Sequence, residues 1–510
     1  MNDTPLHPPD SRSSLRPDRH PLLLPAAALL LGAAHQLLFY EQAPGLSVPL
    51  FVILFELYLW TFGRGAMRAP DRAGILLTLA VLLLSMTYAL FANIAFYLLN
   101  LLALPALLAW QVTYLLGAKR RDWADLRLLP DAFGHLLRQT ILHIPDLFRL
   151  FRRPGAGKGN EEERERSRAF KQIVYGLLLA APILIIVGML LVSADGVLRG
   201  MLDRLPDLLS RLSLEGGLGR SIWALVFAIF FFTYVSGFLT PRFAPPVQGP
   251  QPVMIEDPPL KLEPVVLATL LTVINLVYLL FVALQFSYLF GAWSGILPES
   301  ASYAEYARSG FGELIGVTFI NLGVLVLGLY GSTTGTGAIG RFNRALLYLL
   351  VFCSIGMLGS AFSRLALYEQ AYGYTQLRFL VHAFMIFLFL LLLLFGVCVG
   401  MRRLSLAKWS VALAVCSYLA INYVCMDRMI AVLNLGRATA GAEMDLGYLN
   451  LLSDDAVPVL IQARNAGRDE LDEMLRQRWA TTAGDKSSWQ SWTLSQFRAH
   501  RLLEEQYVND

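Results

Sequence analysis

The sequence predicts an all-α integral membrane protein with about eleven transmembrane helices, a cytoplasmic N-terminus and an extracytoplasmic C-terminus ending in a short helical tail. Three observations carry this. The 510 residues are 56% hydrophobic and only 16% charged, with mean hydropathy +0.53; soluble domains carry about 25% charged residues, so there is too little polar surface to keep such a chain in water. Apolar runs of about 20 residues recur along the chain, the length a helix needs to cross a hydrocarbon core of about 30 Å. Lys and Arg are distributed unequally between the connections.

Taken in order, residues 1–20 read as a disordered cytoplasmic N-terminus. The runs 21–40, 46–63, 74–92 and 95–117 form a four-span module (21–117), in which the third and fourth runs almost merge around Asn93. The first run is too long for the apolar region of a signal peptide. Residues 118–172 form a basic cytoplasmic linker, where the Gly and Pro of "RRPGAGKGNEEERERSRAFKQ" mark a flexible joint and the mixed charges a solvated helix. Seven further runs, 173–193, 221–239, 264–290, 313–331, 345–364, 378–400 and 410–427, make a second module (173–438). Between them, "LDRLPDLLSRL" (202–212) is amphipathic and suits the outer membrane surface. Residues 439–510 are polar with helical periodicity and read as an extracytoplasmic helical tail, with Ser453 before two acidic residues as an N-cap signature.

Most of the 42 basic residues fall in connections that are cytoplasmic if the N-terminus is inside. The short outer connections hold only Arg308, Arg364 and Arg378. The four cysteines, Cys353, Cys398, Cys416 and Cys425, lie in apolar runs without metal-ligand spacing. "GTGAIG" (335–340) matches a dinucleotide-binding pattern, but a membrane span precedes it where that motif needs a strand. No cofactor or metal site is expected. Net charge is +4, with the basic residues scattered, so nucleic acid is not an expected partner.

The stretch "SRLALYEQAYGYTQLRFLVHAF" (363–384) places two arginines on the outer side, against the rule that orients the rest. Charges kept against such a bias usually have a partner or a task. Imposing the topology gathers Asp195, Glu305, Arg308, Glu313, Arg364, Glu369, Tyr374, Arg378, Asp427, Asn434 and Arg437 on one side, with His382 one turn into the tenth span. Tyr423, Asp427, Asn434 and Arg437 have the spacing of one helical face. Two readings follow. The charges clamp helix ends, or the arginines form an outward pocket for an anionic group, held bidentately. Glu56, near the middle of the second span, is a second candidate, because a midplane carboxyl costs a few kcal/mol if charged. His35, Asn275, Gln285 and Asn321 are expected to bond between helices, and Gly396 and Gly400 to form a packing surface.

In "LLVSADGVL", "YARSGFGELIGVTFIN", "RLALYEQAYGYTQLRFLVHAFM" and "MDRMIAVLNLGR…DLGYLNLLSDDAVPVL", the chain resembles a family of bacterial polytopic membrane proteins of unknown function (domain of unknown function 4173, related to 4153). The likeness spans roughly 185–460 and leaves out the four N-terminal spans. It departs from the family pattern at Gly373-Tyr374-Thr375 and lacks an Asn-Pro before Asp427. The resemblance implies a bacterial inner-membrane location and no established activity. The expected function is to bind an anionic solute, a lipid headgroup or a periplasmic partner at the outer face, transport included. A signalling or assembly scaffold docking through the tail is the alternative. A membrane enzyme such as a lipid-linked glycosyltransferase ranks last, since "EQAPGLS" is too short for the long acidic first outer loop common in those enzymes.

Overall fold

A computed structural model describes residues 22–69, 71–117, 121–150, 217–241, 262–293, 311–330, 337–401, 403–439, 441, 443–482 and 488–507. Those residues form helices, with no strand among them. The expected fifth span (173–193), the amphipathic segment 202–212, the first two residues of "GTGAIG", Asp195, Glu305 and Arg308 lie outside the described residues, as do the side chains of Glu313 and Gln285.

Nine of the other ten apolar runs each fall on a helix, and the last, 410–427, crosses a break at Val424 and Cys425. The first four helices are α1 (Leu23–Phe39), α2 (Ser47–Gly63), α3 (Arg72–Leu90) and α4 (Ile94–Leu116). Two short helices, α5 (Leu128–Gly134) and α6 (Thr140–Leu150), follow, joined by a π-helical turn at His135–Gln139. Then come α7 (Leu218–Leu239), α8 (Pro264–Trp293), α9 (Phe311–Tyr330), α10 (Ala338–Tyr372), α11 (Gln376–Gly400), α12 (Leu406–Tyr423) and α13 (Met426–Thr439). By length and composition six of these, α3, α4, α7, α8, α10 and α11, are able to cross a membrane; α12 and α13 make a seventh if their 60° bend is one broken span. Over their described lengths α1, α2 and α9 are apolar but shorter.

The near-merger at Asn93 resolves into a break. Phe91 leaves the helical conformation, and the Asn93 side chain caps α4 by accepting from Phe96 N. At the other extreme, α10 runs 35 residues, about 52 Å at 1.5 Å per residue. It overshoots any bilayer core, so the apolar run 345–364 is only its middle, and Arg364 and Glu369 lie in its last turns. Gly373 ends it with φ +86°. A Cβ there would meet Arg437 Nη1 at 2.9 Å and Asn434 Oδ1 at 3.1 Å, so glycine suits both the left-handed conformation and the space.

Three apolar cores sit within the helical layers. One joins α8, α9, α10 and α11 around Leu271, Leu325, Leu350 and Leu392. A second joins α1, α2, α4 and α7 around Leu59, Val112, Phe231 and Val235. A third lies between α2, α3 and α4, with Tyr418 and Leu419 of α12 against it. Polar side chains bond across these layers: Asn275 Nδ2 donates to Leu346 O (2.9 Å) and Asn321 Nδ2 to Ser354 Oγ (2.8 Å). Asn100 donates to Thr87 and Asn422 and accepts from Tyr418. Gly400 meets Tyr348, and Gly396 faces Val351, where α11 packs on α10. Glu56 is buried (7% exposed) and accepts from Gln111 Nε2 at 2.8 Å, which also reaches Thr78.

The tail folds into four helices: α14 (Leu446–Leu451), α15 (Val457–Asn465), α16 (Asp472–Thr482) and α17 (Leu494–Tyr507). Its apolar core (Leu460, Leu471, Leu475, Leu503) is continuous with Met426 and Ile430 of α13 and Phe96 of α4. Ser453 takes the expected N-cap position with extended backbone. No side-chain bond caps the turn Asp454–Ala456, and the Ser453 hydroxyl turns instead to Asp455.

Candidate functional site

The tail reaches three helix connections at one end of the layers. At α1–α2, Trp492 O accepts from Leu46 N (3.0 Å), Ser488 Oγ bonds the Gln42 side chain, and Gln490 Nε2 donates to Leu37 O. Gly45 is pressed so closely on Ser491 that a Cβ would lie 2.5 Å from its carbonyl carbon. At α3–α4, Asp455 Oδ2 accepts from Ala92 N (3.3 Å). At α10–α11, the Tyr448 hydroxyl accepts from Gln376 N (2.7 Å). The opposite ends meet each other: Arg68 Nη2 donates to Arg121 O (2.7 Å), and Lys408 pairs with Asp122 (2.6 Å). Connections that the topology assigns to a common side therefore share a face.

The 370–378 turn is the centre of the charged group. A helix leaves its last four carbonyls without intrahelical partners, and together they carry the negative end of the macrodipole. Here two arginines take them. Arg437 donates from Nε to Gln370 O and from Nη2 to Ala371 O, both at 2.9 Å. Arg378 Nη1 reaches Tyr372 O (3.4 Å) and Gly373 O, and its guanidinium lies 4.3 Å over the Tyr368 ring. Asn434 fastens Tyr374 from both sides of its peptide, accepting from its N–H (2.8 Å) and donating to its carbonyl (2.9 Å). Asp427, 0% exposed, accepts from Gln376 Nε2 (2.7 Å) and from Ser453 N (3.0 Å). One carboxylate thus joins the turn to the tail.

Of the residues named from sequence, Tyr374, Arg378, Asp427, Asn434 and Arg437 come together here. Tyr423 does not join them. The helix breaks at Val424, and the Tyr423 hydroxyl bonds Leu83 O instead (2.8 Å). Arg378 is bonded to backbone carbonyls and to no carboxylate among the described residues. Arg364 and Glu369 are buried on α10. Glu369 Oε2 meets His382 Nδ1 at 3.1 Å, while Glu369 Oε1 and His382 Nε2 have no hydrogen-bond partner among the described residues. Gln376 went unnoticed in the sequence, although its place just after the N-cap Thr375 was the available signal. Arg478 went unnoticed too. It reaches the carbonyls of Leu449, Asn450 and Leu452 at the end of α14, the same device as at α10.

Burial sets the electrostatics of the tail. Desolvation pushes the Asp454 and Asp455 carboxyls above the usual range and lowers Arg478. Asp472 is partly desolvated too, yet hydrogen bonds from Tyr507, Arg476 and Arg464 hold it below its ordinary value. No group of three or more metal-ligating side chains occurs among the described residues.

A family model described as a domain of unknown function (DUF4153) matches residues 78–463. The match begins inside α3, so it takes in part of the N-terminal helices that the sequence resemblance left out. It corresponds to the relative, 4153, of the family first resembled. No curated protein and no solved structure matches the chain.

Proposed function

Because the chain belongs to the family of the domain of unknown function DUF4153, we propose that it is a multi-pass membrane protein whose tail bundle is a docking platform on the outer face. The platform has no catalytic role; it presents a partner-binding surface held rigidly over the helix ends. The topology proposed with it has about eleven spans, the N-terminus inside and the C-terminus outside a bacterial inner membrane. The assignment to family 4173 would be a refinement of the same placement.

The observation that carries this reading is how the arginines are used. Arg378, Arg437 and Arg478 each donate to carbonyls at a helix C-terminus. Arg437 and Arg478, each bonded through Nε and Nη2, no longer offer that edge of the guanidinium to an incoming carboxylate or phosphate, while Arg378 is held through Nη1 and by its stacking on Tyr368. Other bonds, from Ser453 N to Asp427, from Gln376 N to Tyr448 and from Ala92 N to Asp455, hold the tail against the membrane helices, as a platform requires. A second reading, ligand or proton exchange at the outer face as in a transporter, draws support from the unpartnered Glu369 Oε1 and His382 Nε2.

Thermal melting of the purified protein with inorganic phosphate, glycerol phosphate or acetate separates the two. The platform predicts no saturable shift with any of them. A saturable shift that disappears in both Arg378→Lys and Arg437→Lys would reinstate the anion pocket.

A further inference from the structure

A cavity of about 430 Å³ lies between α1, α2, α4 and α7, away from the charged turn. That is within the roughly 300–1,000 Å³ range of small-molecule sites. Its wall is aromatic and aliphatic, including Phe39, Phe51, Phe55 and Leu104, and among the described residues no Asp, Glu, Lys or Arg lines it. The cavity is open to its surroundings, and its apolar wall gives water too few partners to hold it there.

Two of its polar groups are uncommitted. Trp223 Nε1 donates to His35 Nδ1 at 3.1 Å, so Nδ1 is the bare nitrogen. The neutral ring then carries its proton on Nε2. Among the described residues nothing accepts from that N–H, and nothing bonds the Tyr234 hydroxyl. The His35 ring is fixed by stacking on Phe227, 3.6 Å between centroids. Phe227 and Tyr234 are seven residues apart on α7, about 10 Å along its axis. The cavity therefore offers a hydrogen-bond donor near one end, a hydroxyl near the other and apolar wall between.

We propose that this cavity binds a neutral lipid: a single apolar chain whose head carries a carbonyl that accepts from His35 Nε2–H. A charged headgroup finds no counter-charge among the described lining residues, and a plain hydrocarbon leaves the His35 N–H unpaired, which burial penalises. Two membrane sources supply the chemistry, glycerolipid esters and quinones, and the test distinguishes them. The inference stands apart from the platform, since the two share no side chain.

The full-length protein, stripped of lipid in detergent, is titrated with monoolein, with decylubiquinone and with hexadecane, and binding is followed by native mass spectrometry and thermal shift. One or both carbonyl probes should bind saturably at one per chain, and hexadecane should not. The stronger probe names the source. His35→Phe keeps the ring stack but removes the donor, and should weaken binding about tenfold. Ala109→Trp, which fills the cavity, should abolish it while size-exclusion and circular dichroism profiles stay unchanged. Val48→Phe serves as the filling variant should the tryptophan not fold. Saturable binding of neither carbonyl probe, equal binding of hexadecane, or binding indifferent to both the donor and the filling variants would overturn the proposal.

Discussion

Arg378→Ala removes two donors from the end of α10 and a cation from the face of Tyr368. A charge-assisted cap at a helix C-terminus and a partly exposed cation–π contact together amount to about 1–2 kcal/mol. Thermal denaturation should show that loss, with Arg378→Lys recovering roughly half through one retained charged donor. Removing Glu369 as well should not restore stability, because the guanidinium is bonded to carbonyls rather than to that carboxylate; full restoration would contradict the capping geometry. Glu56→Gln should leave stability within about 1 kcal/mol, since its one bonded partner is the Gln111 amide, which accepts as readily as it donates. A larger loss would mean that the negative charge itself has a role. The identity of the charged residues was legible in the sequence, because arginines on the outer side stood out against the charge bias. Their partners were not. Backbone carbonyls carry no sequence signature, and only the fold places Gln370 O and Ala371 O before Arg437.

At the scale of elements, helix positions were readable from apolar run length, because a bilayer-sized helix leaves a run of about 20 residues. Ends were less so. The overshoot of α10 past its apolar run rests on helix-forming polar residues that hydropathy discards, and the 60° break between α12 and α13 lies in a sequence without proline or glycine. Packing of the tail was hidden too, since its contacts at Gln42–Leu46 join residues more than 400 apart. The α3–α4 contact leads to a pH prediction. Asp455, on the 3₁₀ turn before α15, is raised above the usual carboxylate range by burial. The folded state then holds its proton more tightly than the unfolded one, so this group's penalty is full above the raised value and fades as pH falls through it toward about 3.9. Asp455→Asn should therefore melt higher than the parent at neutral pH, with the difference shrinking on acidification. A gap independent of pH would show that Asp455 does not titrate in that window. Asp472 works in the opposite sense: its value is depressed, so its contribution is present above the ordinary range and is lost in acid.

For the whole molecule, the agreement between sequence and structure lies in sidedness: connections assigned to one side meet the tail, and those assigned to the other meet each other. The proposed direction across the membrane rests on Lys and Arg placement alone. Single cysteines in a background lacking the native four should decide it. Glu470→Cys should react with an impermeant thiol reagent from outside, whereas Arg64→Cys and Ala407→Cys should react only after permeabilisation; the reverse pattern would invert the molecule. The central claim is that the tail roofs the helix ends and joins the first helices to the last, and one measurement bears on it directly. Gln42→Cys and Ser488→Cys together, in the same cysteine-free background and in native membranes, place thiols where two side chains now bond. Mild oxidation or a short bis-maleimide should link them within one chain in high yield, read as a change in gel mobility, and Asp427→Ala should lower that yield by loosening the tail. Two thiols that both label freely yet never cross-link would show that the tail does not sit on the α1–α2 connection, and the platform would fall with it.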